Sequence, residues 1–390
     1  MYVNPTAHSR SRAVLRSRPT AIRTRLLIGL AYIAVASLCV ACDDGPTAPA
    51  GTLSFPVDLS QPWVQVAPAA AGMDSAVLRG AAEAAEKIPR FRSLLVARHG
   101  HVVLERYFGG ADASTLFDVR SVTKTVVAML TGLALADGAL PGIGAHLGDY
   151  LGPPNTLDAD DSAVTVHELL TMTSGYEWHE LGGGPDFALW SAAPDHVQYL
   201  LDRPQFGPPG PFEYNSAAAH VLGVLLQNAE GVPLHEYATQ ALFAPAGITS
   251  ARWEKLEYGT VNGAAGMSMT ARDLLRIGQL LLQEGRSGER IVVPGTWVRA
   301  MTSPRFEWRE TVGPQSGVSY GYLCWVADGA PRPAFFAWGY GGQYVYVVPS
   351  LDLVVVTTTD WRGITSEEES NALGASVLGV IVNRVEAAAR

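Results

Sequence analysis

Strand-like segments lie near both ends of the folded part of this chain, and helical patterns fill the region between them. The apolar runs 94–98 and 102–107 flank a turn at His99-Gly100, which predicts an antiparallel hairpin. The runs 343–348 and 351–358 predict a second hairpin near the other end. If these two hairpins belong to one sheet, the helical part of the chain between them must pack beside that sheet. We therefore expect an α+β fold, an α/β sandwich in which helices flank an antiparallel sheet built from both chain ends.

The middle of the chain, from about residue 137 to 262, predicts a mostly helical subdomain inserted between the sheet-forming segments. Thr165 followed three positions later by Glu168 has the form of a helix capping box. The runs 182–185 and 207–211 are rich in glycine and proline, which is typical of loops. A ligand site is expected in the cleft between the sheet and this helical part. Apolar periodicity predicts further helices over 121–136, 217–227, 271–284 and roughly the last 20 residues.

The first 41 residues differ in composition from the rest and predict an export signal. They hold six arginines and no acidic residue, followed by the uncharged run 26–40. That run is shorter than the roughly 20 residues that a membrane-spanning helix needs, which favours a cleaved signal. Ala41-Cys42 resembles a bacterial lipoprotein processing site, although Cys39 stands where leucine is usual. Ordinary secretory cleavage near Ala41 is the alternative.

Residues 42–62 are rich in proline, glycine, serine and threonine, so they predict a flexible tether that precedes a folded domain over 63–390. We expect an exported, periplasmic or cell-envelope protein that is held to the membrane by a lipid on Cys42. Removal of residues 1–41 would take the formal net charge from −9 to −15. This acidic balance argues against nucleic acid as a partner.

Cysteine use and residue spacing give no sign of a metal or a disulfide framework. Cleavage would leave Cys42 and Cys324, and a lipidated Cys42 cannot pair. No cluster of His, Asp and Glu has the spacing of metal ligands. We therefore expect neither a metal nor an organic cofactor.

Ser121 and Lys124 stand three residues apart on a predicted helix, so their side chains project from the same face. A serine hydroxyl becomes a good nucleophile when a base removes its proton. A lysine amine can do this if burial or a nearby cation lowers its pKa by roughly 3 from its ordinary value of about 10.4. The chain holds only three lysines against 25 arginines, and arginine cannot act as a base. The pair predicts a nucleophile and its base, with a solvated lysine on an amphipathic helix as the alternative.

Tyr214-Asn215-Ser216 follows a Pro/Gly loop at the start of a predicted helix. In a cleft, the Tyr214 hydroxyl can relay a proton between nucleophile and leaving group. An ordinary half-buried aromatic residue is the alternative.

The run Trp338-Gly339-Tyr340-Gly341-Gly342-Gln343 precedes a predicted strand. Glycines allow backbone amides to approach a ligand closely. The amides of Gly342 and Ser121 are therefore predicted to form an oxyanion hole, with Tyr340 and Gly341 beside the substrate. A bulge or a tight turn is the alternative.

These three elements, in this order, resemble the serine β-lactamase and penicillin-binding-protein superfamily, in particular its class C-like branch. The similarity spans roughly residues 91–358 and is greatest to the carboxylesterase and 6-aminohexanoate-dimer hydrolase group. The resemblance implies a β-lactamase/transpeptidase-like fold. It also implies cleavage of a small-molecule or peptide-like ester or amide through an acyl-enzyme on Ser121, with Lys124 and Tyr214 transferring protons.

Two departures from that branch bear on the substrate. Ser216 stands where asparagine is usual, and it is expected to donate a hydrogen bond to a substrate carbonyl. Gly339-Tyr340-Gly341 replaces a Lys-Thr-Gly or His-Thr-Gly run, so no cation is expected there to hold a carboxylate. This disfavours β-lactam hydrolysis and D-alanyl-D-alanine carboxypeptidase activity, which stay as alternatives. A non-catalytic sensor of peptidoglycan or β-lactams and a purely structural envelope lipoprotein are two others.

Aromatic residues are candidates for the wall of the cleft, with core packing as an equal alternative. They are Trp178, Tyr322, Trp325 and Trp338. His179 and Glu180 follow the first of these in a glycine-rich stretch. They are interpreted as a solvated loop pair, with a position lining the cleft as the alternative.

Overall fold

The computed structural model describes residues 56–389, without the side chains of residues 307–309. The predicted signal over 1–41, the acceptor Cys42 and the first part of the predicted tether lie outside the described residues. No helix among the residues described has the length and apolar character to cross a membrane.

The last residues of the predicted tether are packed against the domain. Leu59 is buried, and its N–H donates to Ser287 Oγ at 2.8 Å. The N–H of Val57 donates to Gln283 Oε1 at 2.9 Å. The tether prediction was therefore wrong at its C-terminal end, because the ordered domain begins before Trp63.

An eight-stranded antiparallel sheet forms the centre of the domain. Two of its strands come from the start of the domain and six from the end, in the spatial order β2-β1-β13-β12-β11-β10-β9-β8. The prediction of one antiparallel sheet built from both chain ends is confirmed, but only two of its six C-terminal strands were predicted. The sheet strands are β1 (Phe91–Arg98), β2 (His101–Tyr107), β8 (Phe306–Val312), β9 (Gln315–Tyr320), β10 (Trp325–Ala327), β11 (Ala334–Gly339), β12 (Gln343–Val348) and β13 (Leu353–Thr359). The short strands outside it are β3 (Phe117–Asp118), β4 (Arg252–Trp253), β5 (Met267–Met269), β6 (Arg286–Ser287) and β7 (Arg290–Ile291).

Helices surround this sheet and fill the predicted insertion. They are α1 (Ser75–Glu86), α2 (Val122–Asp137), α3 (Ala159–Ala163), α4 (Val166–Thr171), α5 (Asp186–Ser191), α6 (His196–Leu201), α7 (Ser216–Glu230), α8 (Leu234–Tyr237), α9 (Ala271–Leu282), α10 (Gly295–Met301), α11 (Glu367–Val380) and α12 (Glu386–Ala388). The predicted capping box is present at α4, where Thr165 and Glu168 bond each other's backbone N–H groups.

Strands β12 and β13 are buried on both faces because helices cover each side. Side chains alternate between the two faces of a strand. On one face, Gly278 of α9 packs against Val345 and Val354. On the other, the Tyr344 hydroxyl donates to the carbonyl of Gly374 in α11 at 3.3 Å. This α/β sandwich confirms the predicted fold class.

The start of α2 is attached to the end of β11 by close backbone packing. A Cβ added to Gly339 would lie 2.3 Å from the carbonyl oxygen of Val119, so only glycine fits there. The N–H of Val119 also bonds the carbonyl of Met267 in β5 at 3.0 Å. These contacts bring Ser121 next to the glycine-rich run at the C-terminal end of β11.

Candidate active site

Ser121 lies immediately before α2, at the floor of a cavity of ≈ 540 Å³. The preceding residue, Arg120, has a φ of 50°, a conformation that non-glycine residues rarely adopt. Such strained positions often occur at functional sites. The strained turn at Arg120 exposes Ser121 to the cavity, while residues 122–132 of α2 are buried in the core.

Lys124 is almost completely buried, with 1% of its surface exposed, and its amine lies against the Ser121 hydroxyl. The distance from Lys124 Nζ to Ser121 Oγ is 2.9 Å. The amine also contacts Ser216 Oγ at 2.9 Å and the carbonyl oxygen of Ala264 at 3.0 Å. Burial lowers the pKa of Lys124 from 10.5 to about 8; the Glu180 carboxylate opposes this shift, and the Arg120 guanidinium adds to it. The structure thus brings the predicted nucleophile and base together.

Ser216 connects the carboxylate of Glu180 to the amine of Lys124 by hydrogen bonds. Ser216 is fully buried, and its hydroxyl donates to Glu180 Oε1 at 2.7 Å. Glu180 Oε2 accepts the Ser216 N–H at 2.9 Å and the Trp178 indole N–H at 3.0 Å. A carboxylate beside the first N–H groups of α7 is stabilised by the partial positive charge of the helix N-terminus.

This network changes the roles predicted for three residues. A substrate cannot reach the buried Ser216, so the expected hydrogen bond to a substrate carbonyl is wrong. Trp178 lies beneath the site, 1% exposed, and holds Glu180 instead of lining the cavity. Glu180 itself was interpreted as a solvated loop residue, but it lines the cavity. The sequence signal that could have found Glu180 is its place in the glycine-rich loop before α5, two residues after Trp178.

Tyr214 projects into the same cavity with 8% of its surface exposed. Its ring stacks on Trp325 at 5.6 Å between centroids, and Lys124 Nζ lies 5.0 Å from its centre. Burial and the charge of Glu180 raise the pKa of Tyr214 above its ordinary value, and a hydrogen bond with Ser121 acts in the opposite direction. Tyr214 therefore faces Ser121 as a neutral phenol. Its neighbour Asn215 caps α7 through the N–H of Ala218.

Some backbone N–H groups beside the cavity already donate a hydrogen bond within the protein, and others do not. The N–H of Gly342 donates to the Gly339 carbonyl at 3.1 Å, and that of Gly341 donates to Ser370 Oγ at 2.9 Å. The predicted oxyanion role of Gly342 is therefore wrong, since its amide closes the turn after β11. Within residues 56–389, the N–H groups of Tyr340 and Ser121 have no hydrogen-bond acceptor, and both residues line the cavity.

Aromatic residues were expected in the wall, and two of the four are found there. Trp325 and Trp338 line the cavity, whereas Tyr322 is buried and stacks on Trp297. His179 is exposed beside Asp186 and does not line the cavity. Across residues 56–389 no group of three or more His, Cys, Asp and Glu could hold a metal ion.

The site therefore combines Ser121 at the start of a helix, the buried Lys124 beside it and Tyr214 opposite. The chain that carries these groups was compared with known proteins. The profile of the Beta-lactamase family matches residues 69–379, which include all of these groups. The chain belongs to the Beta-lactamase family. This agrees with the resemblance drawn from the sequence.

Two of the relatives of this chain are hydrolases by name. The chain is 24% identical to the 6-aminohexanoate-dimer hydrolase of Paenarthrobacter ureafaciens over 295 residues, which cover 69% of this chain and 72% of the relative. It is 31% identical to the esterase EstB of Burkholderia gladioli over 180 residues, or 40% of this chain and 44% of the esterase. Less than half of EstB is therefore matched.

Solved structures show the same β-lactamase-like fold. A putative 6-aminohexanoate-dimer hydrolase from Bacillus anthracis superposes with a TM-score of 0.64 at 21% identity, covering 77% of this chain and 81% of that one. EstCE1, a hydrolase with promiscuous acyltransferase activity, gives a TM-score of 0.62 at 17% identity, covering 79% and 98%. These similarities establish the fold.

Proposed function

We propose that this chain is a serine hydrolase that cleaves an ester or amide bond through an acyl-enzyme on Ser121. The observation that carries this proposal is the buried amine of Lys124, 2.9 Å from Ser121 Oγ with a pKa lowered to about 8. An amine with that pKa is neutral in about one molecule in ten at pH 7. It is therefore available as a base near neutral pH.

In the acylation step, protons move between Ser121, Lys124, Tyr214 and the leaving group. Ser121 Oγ bonds to the carbonyl carbon as its proton passes to neutral Lys124 Nζ. The N–H groups of Ser121 and Tyr340 donate to the oxygen that becomes negative, which is the strongest stabilisation such a site offers. Tyr214 then gives its proton to the leaving group, and Lys124 restores the proton of the phenol.

Deacylation reverses these transfers with water in place of the leaving group. The water loses one proton to the Tyr214–Lys124 pair as its oxygen bonds to the acyl carbon. Ser121 Oγ regains a proton from Lys124 when the acyl bond breaks, so the free acid leaves and the site is restored.

Covalent labelling tests this proposal. We expect a fluorophosphonate probe to label the wild-type protein and the exposed-site control Ser376→Ala, but not Ser121→Ala. We also expect the wild type to turn over a neutral nitrophenyl ester at pH 8. Labelling without turnover would favour a non-catalytic sensor, and neither labelling nor turnover would favour a structural lipoprotein. Equal labelling of Ser121→Ala would remove the assignment of the nucleophile.

We also propose that the protein is exported and held at the cell envelope by a lipid on Cys42. The arginine-rich segment, the apolar run and the Ala41-Cys42 pair support this location.

A further inference from the structure

Arg120 carries a cationic side chain that has no hydrogen-bond acceptor within the described part of the chain. Its Nε is buried and unpaired. Buried polar groups in folded proteins nearly always have a partner, so an unpaired one requires an explanation. Arginine in addition stays charged at every physiological pH.

Aromatic rings lie near the guanidinium of Arg120, so its in-plane N–H groups are the part that can still bind a hydrogen-bond acceptor. Its Cζ lies 4.4 Å from the ring centre of Trp361 and 5.3 Å from that of Phe187. Aromatic rings stabilise a cation through its charge but accept no in-plane N–H hydrogen bond as a carboxylate does. Arg120 and Phe187 line the cavity that holds Ser121. Arg120 therefore borders the compartment where a substrate would bind, and its guanidinium has no hydrogen-bond acceptor among residues 56–389.

Neither of the two acidic residues that line the cavity, Glu180 and Glu367, forms an ion pair with this cation. Glu180 is engaged by Ser216 and Trp178, as described above. Glu367 accepts the Gly182 N–H through Oε1 at 3.0 Å; its Oε2 is buried without a hydrogen-bond partner, and neither oxygen forms an ion pair with Arg120. Asp118, which does not line this cavity, accepts the backbone N–H of Arg120 at 3.1 Å; the charge of Arg120 acts on its carboxylate, but the two side chains form no ion pair. Within residues 56–389, Arg120 forms no ion pair.

We propose that Arg120 is the substrate-recognition residue for a carboxylate, so that the preferred substrates are carboxylate-bearing esters or amides. The inference rests on the proposed function, since it concerns the substrate of the Ser121 site. The planar guanidinium fork matches a carboxylate in a bidentate manner. The sequence indicated no cation at Gly339-Tyr340-Gly341, but the structure supplies one from the turn before the nucleophile.

The test compares charged and neutral esters that are otherwise matched. One pair is nitrophenyl hydrogen glutarate and its neutral methyl ester, which varies the acyl side. The other pair is 3-carboxy-4-nitrophenyl butanoate and 4-nitrophenyl butanoate, which varies the leaving group. We expect the wild type to favour the charged member of at least one pair by about 10- to 100-fold in kcat/KM, the range for a charge-assisted hydrogen-bonded pair.

Arg120→Gln should lose most of that preference, and Arg120→Lys should keep part of it because lysine offers a point charge without the fork. The preference is a ratio measured on one enzyme, so any change in the pKa of Lys124 affects both substrates and cancels. Glu367→Gln is the matched control: it removes a negative charge from the same cavity and should preserve or increase the preference. Melting curves and fluorophosphonate labelling check that each variant is folded.

The outcomes separate this inference from the proposed function. Absence of turnover of both neutral esters by the wild type, together with no labelling, would overturn the proposed function. Turnover of neutral esters without preference for either carboxylate would overturn the role of Arg120 alone. A preference that survives in Arg120→Gln would overturn it as well. If Arg120→Gln does not fold, the comparison of wild type with Arg120→Lys decides.

Discussion

Ser216 Oγ lies 2.9 Å from Lys124 Nζ and can only accept a hydrogen bond from it, because the one proton of Ser216 is donated to Glu180. The carbonyl of Ala264 is likewise only an acceptor for this amine. Two hydrogens of the amine are therefore directed away from Ser121 in either charge state. The third position of the nitrogen faces Ser121 Oγ, as a donor when Lys124 is charged and as a lone pair when it is neutral.

Ser216 does not contact the substrate, but replacing it should still impair catalysis. In Ser216→Ala the amine loses one fixed acceptor and is free to turn its lone pair away from Ser121. We expect kcat to fall by about 10-fold, the effect of one hydrogen bond of about 1.4 kcal/mol. Ser216→Thr, which keeps a hydroxyl, should retain more activity. Equal losses in the two variants, measured with a neutral nitrophenyl ester, would contradict this role.

The pH dependence of the reaction should report the charge of Lys124. In the proposed mechanism the neutral amine of Lys124 is the base. Because burial lowers its pKa to about 8, kcat/KM should rise with pH through about 8 and then level off. The charge of Glu180 raises the pKa of Lys124, so Glu180→Gln should move the midpoint to lower pH. Lys124→Arg should be inactive throughout, since arginine stays protonated. A midpoint that moves upward in Glu180→Gln would contradict the assignment.

The amide of Tyr340 should matter more than its side chain. Tyr340→Pro removes the N–H, whereas Tyr340→Ala keeps it. Loss of one oxyanion donor typically lowers kcat by about 10²–10³-fold, so we expect that loss for proline and a much smaller one for alanine. Labelling of Ser121 and melting curves verify the fold. Similar kcat values for the two variants would exclude Tyr340 N–H as an oxyanion donor.

Lipidation at Cys42 can be measured directly in bacteria that express the full chain. We expect an alkyne-tagged fatty acid to label the wild type, which should partition into the detergent phase. Cys42→Ser should lose both properties. Cys324→Ser, which alters a buried thiol within the domain, is the matched control and should stay labelled. Secretion of unlabelled wild-type protein would instead indicate ordinary signal cleavage near Ala41.

Several features of the fold could be predicted because they depend on near neighbours in the chain. The Ser121–Lys124 contact follows from one turn of helix, and the capping box of Thr165 and Glu168 is equally local. The two predicted hairpins were found for the same reason, since each is made of adjacent runs with a short turn. Strands β8–β11 were missed because they are short or interrupted by glycine and charged residues, so their alternation is weak.

The sequence by itself determined the contact between Ser121 and Lys124, the helices in the middle of the chain and the sheet built from both chain ends. Only the tertiary structure decided which carboxylate supports Lys124, which amides stay free and where the cation lies. Lys124 and Ser216 are 92 residues apart, and Ser216 and Glu180 are 36 apart, so no local periodicity relates them. Their contacts arise from the packing of α2, α7 and the loop before α5. That packing depends on burial across the whole domain, which no short pattern in the chain encodes.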